Sequence, residues 1–200
     1  ENPDKKYLVD KFKEAMVRMP VKEIELSDLL KRGEESLGGY YEFYKGKFHE
    51  NSLTEYPISR VYLDEIPLTG KLDKIEILDM SGLVNVVDYK TGKPKSRGEI
   101  EGETKNSEGN TKRQLVFYKL LLSLFGDGNK FRFASADIDF VEPMESGKYK
   151  KEHFTVSDEE VEELKAEIRR VADEIINFKF WDKRCDDKHC EFCELREMVK

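Results

Sequence analysis

Apolar residues recur at helical spacing from the start of the chain: Tyr7, Leu8, Phe12, Ala15, Met16 and Met19 fall along residues 5–19, and Pro20 closes the segment. Ser27 is placed to cap a second helix running to about Phe48, with Leu30, Leu37, Tyr41 and Phe48 on one stripe. The period then changes. A strand-like stretch around Ile58–Leu63 precedes two clearer strands, Leu68–Asp79 and Leu83–Lys90. Residues 91–111 show no pattern, which predicts a mobile loop beside whatever site the strands carry. A helix returns at about 112–125 with Leu115, Tyr118, Leu121 and Leu122, followed by strands at Phe131–Val141 and Tyr149–Phe154. Ser157 with Glu160 makes a capping-box pattern that opens a long helix through about Ile176. Residues 181–200 form a tail. Helices flanking a run of strands, joined by hairpins, predict an α/β fold with a mixed central sheet.

A length of 200 residues suits one domain with a real core, and equal shares of charged and hydrophobic residues (38% each) fit a folded chain rather than a disordered one. No stretch approaches the roughly 18 apolar residues that a membrane span needs, so no membrane role is expected. The chain begins at Glu1 with no signal-type apolar run, as expected of a domain cut from a longer polypeptide or of a processed terminus. The three cysteines crowd the last sixteen residues, which argues against a secreted disulfide framework and for a reducing cytoplasm. A net charge of −7 disfavours a free-standing nucleic-acid grip. It is compatible with a catalytic domain whose partner domains hold the substrate.

The chemistry concentrates in Gly70-Lys-Leu-Asp73-Lys-Ile and Val86-Val-Asp88-Tyr-Lys90-Thr-Gly-Lys93. Alternation puts Val84, Val86, Asp88 and Lys90 on one face of the second strand, and Asp73, Ile75 and Ile77 on one face of the first. A turn at Asp79–Gly82 makes paired positions sum to 161, so Ile77 faces Val84, Ile75 faces Val86 and Asp73 faces Asp88. Facing carboxylates, with Cβ atoms about 4.5–5.5 Å apart, repel unless a cation lies between them. Hard oxygen ligands suit Mg²⁺ or Mn²⁺. Lys90, on the same face, could orient or help deprotonate an attacking water. On the hairpin alone, a solvated strand end accounts for the same triplet.

Three linked pieces, Gly70–Ile75, Asp88–Lys93 and Gln114–Tyr118, together resemble the RecB-like nucleases of the PD-(D/E)XK superfamily over about residues 55–125. The resemblance implies a restriction-endonuclease-like α/β core and metal-dependent hydrolysis of DNA phosphodiester bonds. It also implies DNA as substrate and a UvrD/Rep-type helicase domain, in the same polypeptide or complex, as partner in recombination or repair. It makes Asp73, Asp88 and the backbone carbonyl of Tyr89 the metal ligands and Lys90 the catalytic lysine. Gln114 and Tyr118, one helical turn apart, would bind DNA or order the site, with Lys93 in a local basic run with Lys95 and Arg97. Core and surface positions account equally for Gln114 and Tyr118 without the motif. The family also carries an acid or a His on an upstream helix. Glu34, between Leu30 and Leu37 on the apolar stripe and so expected to point inward, is the candidate, followed by Glu35 and His49.

Many RecB-like nucleases hold an iron–sulfur cluster through one upstream cysteine and a C-terminal trio. Cys185, Cys190 and Cys193 give C-x4-C-x2-C, the spacing departs from that pattern, and no cysteine stands upstream among the 200 residues. A metal-free tail is therefore expected. A Zn²⁺ site of the three cysteines with His189, or a cluster completed by other sequence, stays open.

Overall fold

The computed structural model describes residues 4–128, 130–181, 183–186 and 190–198. Five strands form one sheet in chain order: β1 (Ser52–Leu63), β2 (Ile66–Ile77), β3 (Leu83–Lys90), β4 (Arg132–Phe140) and β5 (Lys151–Phe154). Neighbours are antiparallel except β3 and β4, which run parallel and are joined by a helical crossover. The expected mixed sheet flanked by helices is what forms.

Local chemistry sets the β2–β3 hairpin. Asp79 Oδ1 accepts from Ser81 N–H, Ser81 Oγ and Leu83 N–H, fixing the turn. Gly82 completes it at φ +79°, where a Cβ would also meet the Lys130 carbonyl oxygen at 2.9 Å. The register is the expected one: Ile77 pairs with Val84 and Ile75 with Val86.

Helix α4 (Asn110–Leu124) lies on one face and buries Leu115, Leu120, Leu121 and Leu122 against Ile75, Val84, Val86, Ala136 and Ile138. Fully burying each such side chain contributes about 1.5–3 kcal/mol. Gly70 permits the approach, since a Cβ there would lie 2.5 Å from a Leu121 methyl. Helix α5 (Asp158–Ile176) packs outside α4 and opens with the expected Ser157–Glu160 capping box.

The opposite face carries α1 (Lys5–Met16) and α2 (Glu23–Tyr44). Here Tyr40 packs edge-on to Tyr89 and donates its hydroxyl to Asp139 Oδ2 at 2.7 Å. Lys151 Nζ lies 2.8 Å from the same oxygen. Asn85 Nδ2 bridges Glu76 and Asp137, Lys74 pairs with Glu76, and His153 Nδ1 lies 2.7 Å from Asp137. Burial foremost, then the Asp139 charge, pushes the Tyr89 hydroxyl up to about 12.

Several boundaries differ from expectation. Helix α2 starts at Glu23 rather than after Ser27, with Lys22 as a cap that offers no side-chain bond, and it stops at Tyr44. Strand β1 begins six residues before Ile58, because positive φ at Glu55 and Arg60 interrupts its alternation. The patternless stretch 91–111 contains α3 (Arg97–Glu101), opened by a Ser96–Glu99 capping box and anchored by fully buried Ile100. The tail folds into α6 (Glu191–Met198). No helix among the described residues is long and apolar enough to cross a membrane.

Candidate active site

The β2–β3 ladder ends at Lys74–Val87, one pair short of the two aspartates. Asp73 and Asp88 therefore occupy the next position of the same register, just past the last rung. There Asp73 Oδ2 accepts the Tyr89 backbone N–H at 2.9 Å, taking a donor that the ladder no longer uses. Asp73 stays near Asp88: burial first raises its carboxyl above the usual value, the Tyr89 N–H works the other way, and the Asp88 charge raises it further.

Asp88 is 1% exposed and sits in a closed ring of four side chains. Tyr118 donates its hydroxyl to Asp88 Oδ1 at 3.0 Å, and Gln114 Nε2 donates to the Tyr118 oxygen at 2.6 Å. Lys90 Nζ donates to Gln114 Oε1 at 2.7 Å and lies 2.7 Å from Asp88 Oδ2. The one-turn spacing of Gln114 and Tyr118 on α4, and the two-residue spacing of Asp88 and Lys90 on β3, make the ring possible. Both ends of the Gln114 amide are used, which fixes its orientation. Burial, with Asp88 alongside, drives the Tyr118 hydroxyl well above its ordinary range, so it remains a donor.

Asp88 Oδ2 is fully buried yet has no hydrogen bond; its contact with Lys90 is an ion pair without hydrogen-bond geometry. Asp73 has a backbone donor but no paired cation among its described contacts. Two neighbouring carboxylates, one of them with a buried oxygen that lacks a hydrogen bond, are a fitting donor set for a hard divalent ion.

Other candidates fall elsewhere. Glu34 does not point into the core: it is exposed and pairs with Lys13 of α1 at 2.8 Å. The reason is that α1 covers this side of α2, where a Cβ on Gly33 would strike the Phe12 ring, while Tyr40 supplies the face turned to the sheet. Glu35 is exposed. His49 lies before β1, with a buried Nδ1 lacking a hydrogen bond and its carbonyl accepting from Ser52. Lys93 and Lys95 are exposed. Arg97 instead lies 4.3 Å over the Phe154 ring and pairs with Glu101 and Glu152, so it holds α3 to β5. Cys185, Cys190 and Cys193 converge in the tail, whereas His189 lies outside the described residues.

Sequence reasoning missed the Tyr40–Asp139–Lys151 cluster. Its only local signal was the acidic alternation Asp137-Ile-Asp139 in a strand otherwise expected to be buried.

A search of curated proteins finds no match. Among solved structures, one described as "Crystal structure of SSO0001" is similar over 97% of this chain and 96% of that one, at 16% identity and a TM-score of 0.40. The model of the PD-(D/E)XK nuclease superfamily matches residues 2–198, nearly the whole chain. With its mixed sheet flanked by helices, the chain belongs to the PD-(D/E)XK nuclease superfamily.

Proposed function

We propose that this chain is a metal-dependent deoxyribonuclease that hydrolyses phosphodiester bonds, the nuclease module of a RecB-like helicase–nuclease in recombination or repair. The observation that carries this reading is the closed Asp88–Lys90–Gln114–Tyr118 ring with Asp73 beside it. The choice of DNA, and of a helicase partner, rests on the sequence resemblance.

Asp73, Asp88 and the Tyr89 carbonyl would hold Mg²⁺ or Mn²⁺, which supplies Lewis acidity to the phosphate and lowers the pKa of a bound water. The chain's own groups do the rest. Lys90 presents an ammonium that orients the attacking water and offsets charge gathering on the phosphate oxygens. Gln114 gives that ammonium a second, neutral anchor, so that it would keep its aim with a cation held beside Asp88. Tyr118 fixes the Asp88 carboxylate by donating to its other oxygen. Lys93 offers a phosphate contact at the open end of β3.

The test is digestion of labelled linear and circular DNA with Mg²⁺ or Mn²⁺, the wild type beside Asp88→Ala and Lys90→Ala. Metal-dependent cleavage lost in both variants supports the reading, and attack on circles identifies endonuclease action. A second reading, an inactive nuclease fold that binds DNA or serves as a scaffold, draws on the outward-facing Glu34. Folded protein that binds DNA but cleaves nothing with either metal would favour it.

A further inference from the structure

Helix α6 poses a question of stability. It has eight residues and buries none of them, with Phe192, Leu195 and Met198 largely exposed. A helix this short does not hold in water by itself, and among the described residues no buried apolar face stabilises it against the rest of the chain. Its described polar links run to the segment just before it: Arg196 donates to the carbonyls of Trp181 and Lys183, and Arg184 pairs with Glu197.

The three cysteines sit where these two pieces meet. Cys185 belongs to the preceding segment, Cys190 stands at the mouth of α6 with its carbonyl accepting from Glu194, and Cys193 follows Cys190 by three residues, on the same helical side. Their sulfurs lie within 4.8 Å of one another, and those of Cys185 and Cys193 are 3.6 Å apart. Thiolates bound tetrahedrally to one zinc, at about 2.3 Å each, are separated by about 3.8 Å along each edge. The Cys185–Cys193 spacing matches that edge, and the third sulfur is within reach of it.

We propose that Cys185, Cys190 and Cys193 form a site for one thiophilic divalent cation of the zinc type, which staples α6 to the segment before it. Within these 200 residues, which contain three cysteines, the fourth position falls to a water or a nitrogen or oxygen donor. A [4Fe–4S] cluster does not fit this geometry, because each of its protein thiolates binds a different iron, and thiolates on separate irons stand wider apart than thiolates sharing one ion. A [2Fe–2S] cluster takes four cysteines, two on each iron, and these 200 residues hold three. The inference is independent of the nuclease reading, because no residue of the Asp88 ring takes part.

The 200-residue chain, purified anaerobically without chelator or added metal, is analysed for zinc, iron and acid-labile sulfide, and its zinc is then exchanged for Co²⁺. The expected result is one zinc per chain, negligible iron and sulfide, and a cobalt form with thiolate-to-metal charge-transfer and tetrahedral d–d bands. Cys185→Ser and Cys193→Ser lose stoichiometric binding, while Asp88→Ala keeps it. Chelation speeds hydrogen exchange across 190–198 and leaves β3 and α4 unchanged, which separates a local staple from a global effect. A brown chromophore with iron and sulfide overturns the proposal. So do a disulfide, three freely reactive thiols without metal, or zinc that survives both serine substitutions.

Discussion

Strands β3 and β4 carry two clusters of the same composition on opposite faces of the sheet. On the α4 face, Asp88 is held by Tyr118 and Lys90; on the α2 face, Asp139 is held by Tyr40 and Lys151. The strands pair Tyr89 with Asp139, so the clusters stand almost back to back. Each aspartate is fully buried, and each has one oxygen without a hydrogen bond. The neighbours make the difference. Behind the sheet, the remaining acids are answered from within: Glu76 by Lys74 and Asn85, Asp137 by Asn85 and His153. In front, Asp73 has a backbone donor and no ion pair among its described contacts, and the Asp88 charge acts on it more strongly than that of Lys90. A Tyr–Asp–Lys trio whose surroundings complete the charge balance acts as a lock between helix and sheet. Beside an uncompensated second acid, the same trio leaves room for a cation from outside.

The two lysines give the sharpest contrast. Lys90→Ala is expected to lower the metal-dependent cleavage rate by about 10²–10³-fold, the range lost when one preorganised electrostatic stabiliser is removed. Lys151→Ala should leave the rate per folded molecule unchanged and reduce stability by about 1–3 kcal/mol, because it strands buried Asp139. Equal loss of activity in both, measured at matched folded concentration, would erase the distinction between the faces.

Asp73 carries the next effect, and pH reveals it. Burial first, against the Tyr89 N–H and with help from the Asp88 charge, keeps its carboxyl above its ordinary value of 3.8. For an acid raised in the folded state, the favourable contribution is complete below 3.8 and is lost as pH climbs through the folded value. Metal-free Asp73→Asn should therefore melt higher than the metal-free wild type at neutral pH, with the gap closing below 3.8. The wild type should bind Mn²⁺ more tightly as pH rises through the same interval, and the variant should lose that dependence. Melts with chelator and calorimetric Mn²⁺ titrations read the two arms separately.

The tyrosines differ more gently. Tyr118→Phe removes one bond to Asp88 and should slow cleavage by about tenfold, the equivalent of one ordinary hydrogen bond. Tyr40→Phe should cost about 1 kcal/mol of stability and leave the cleavage rate unchanged, because its hydroxyl serves Asp139 alone among the carboxylates it contacts.

What was legible in the sequence follows the same division. The front cluster uses short spacings, Asp88 to Lys90 on one strand and Gln114 to Tyr118 on one helix, so periodicity displays both halves. The hairpin register was readable because apolar alternation and the Asp79–Gly82 turn agree. The backbone ladder ends one pair before the carboxylates, where the Asp73–Tyr89 bond takes over, and no local pattern announces that end. The back cluster joins Tyr40 to Asp139 across 99 residues, a distance at which local pattern says nothing. Helix α3 carried a usable sign in Ser96 and Glu99, but five residues are too few for a period to show. Strand β1 concealed its first half because positive φ at Glu55 and Arg60 upsets the alternation.

Glu34 provides the smallest expected effect and a direct check on how the two faces were assigned. A single apolar stripe through Leu30 and Leu37 places it inward, yet α2 has two partners. One side meets α1 through Gly33 and Phe12, and another meets the sheet through Tyr40. A hydrophobic period cannot tell a stripe that faces a neighbouring helix from one that faces the core, so the carboxylate beside that stripe emerges in solvent against Lys13. A half-exposed ion pair of this kind contributes little, about 0–1 kcal/mol. Glu34→Ala should therefore cleave at the wild-type rate, bind Mn²⁺ equally well and melt within about 0.5 kcal/mol of the parent protein. A loss of cleavage comparable to that of Lys90→Ala, with stability intact, would instead mean that α2 reaches the front of the sheet in the working enzyme and that its packing against Tyr89 and Asp139 is released during turnover.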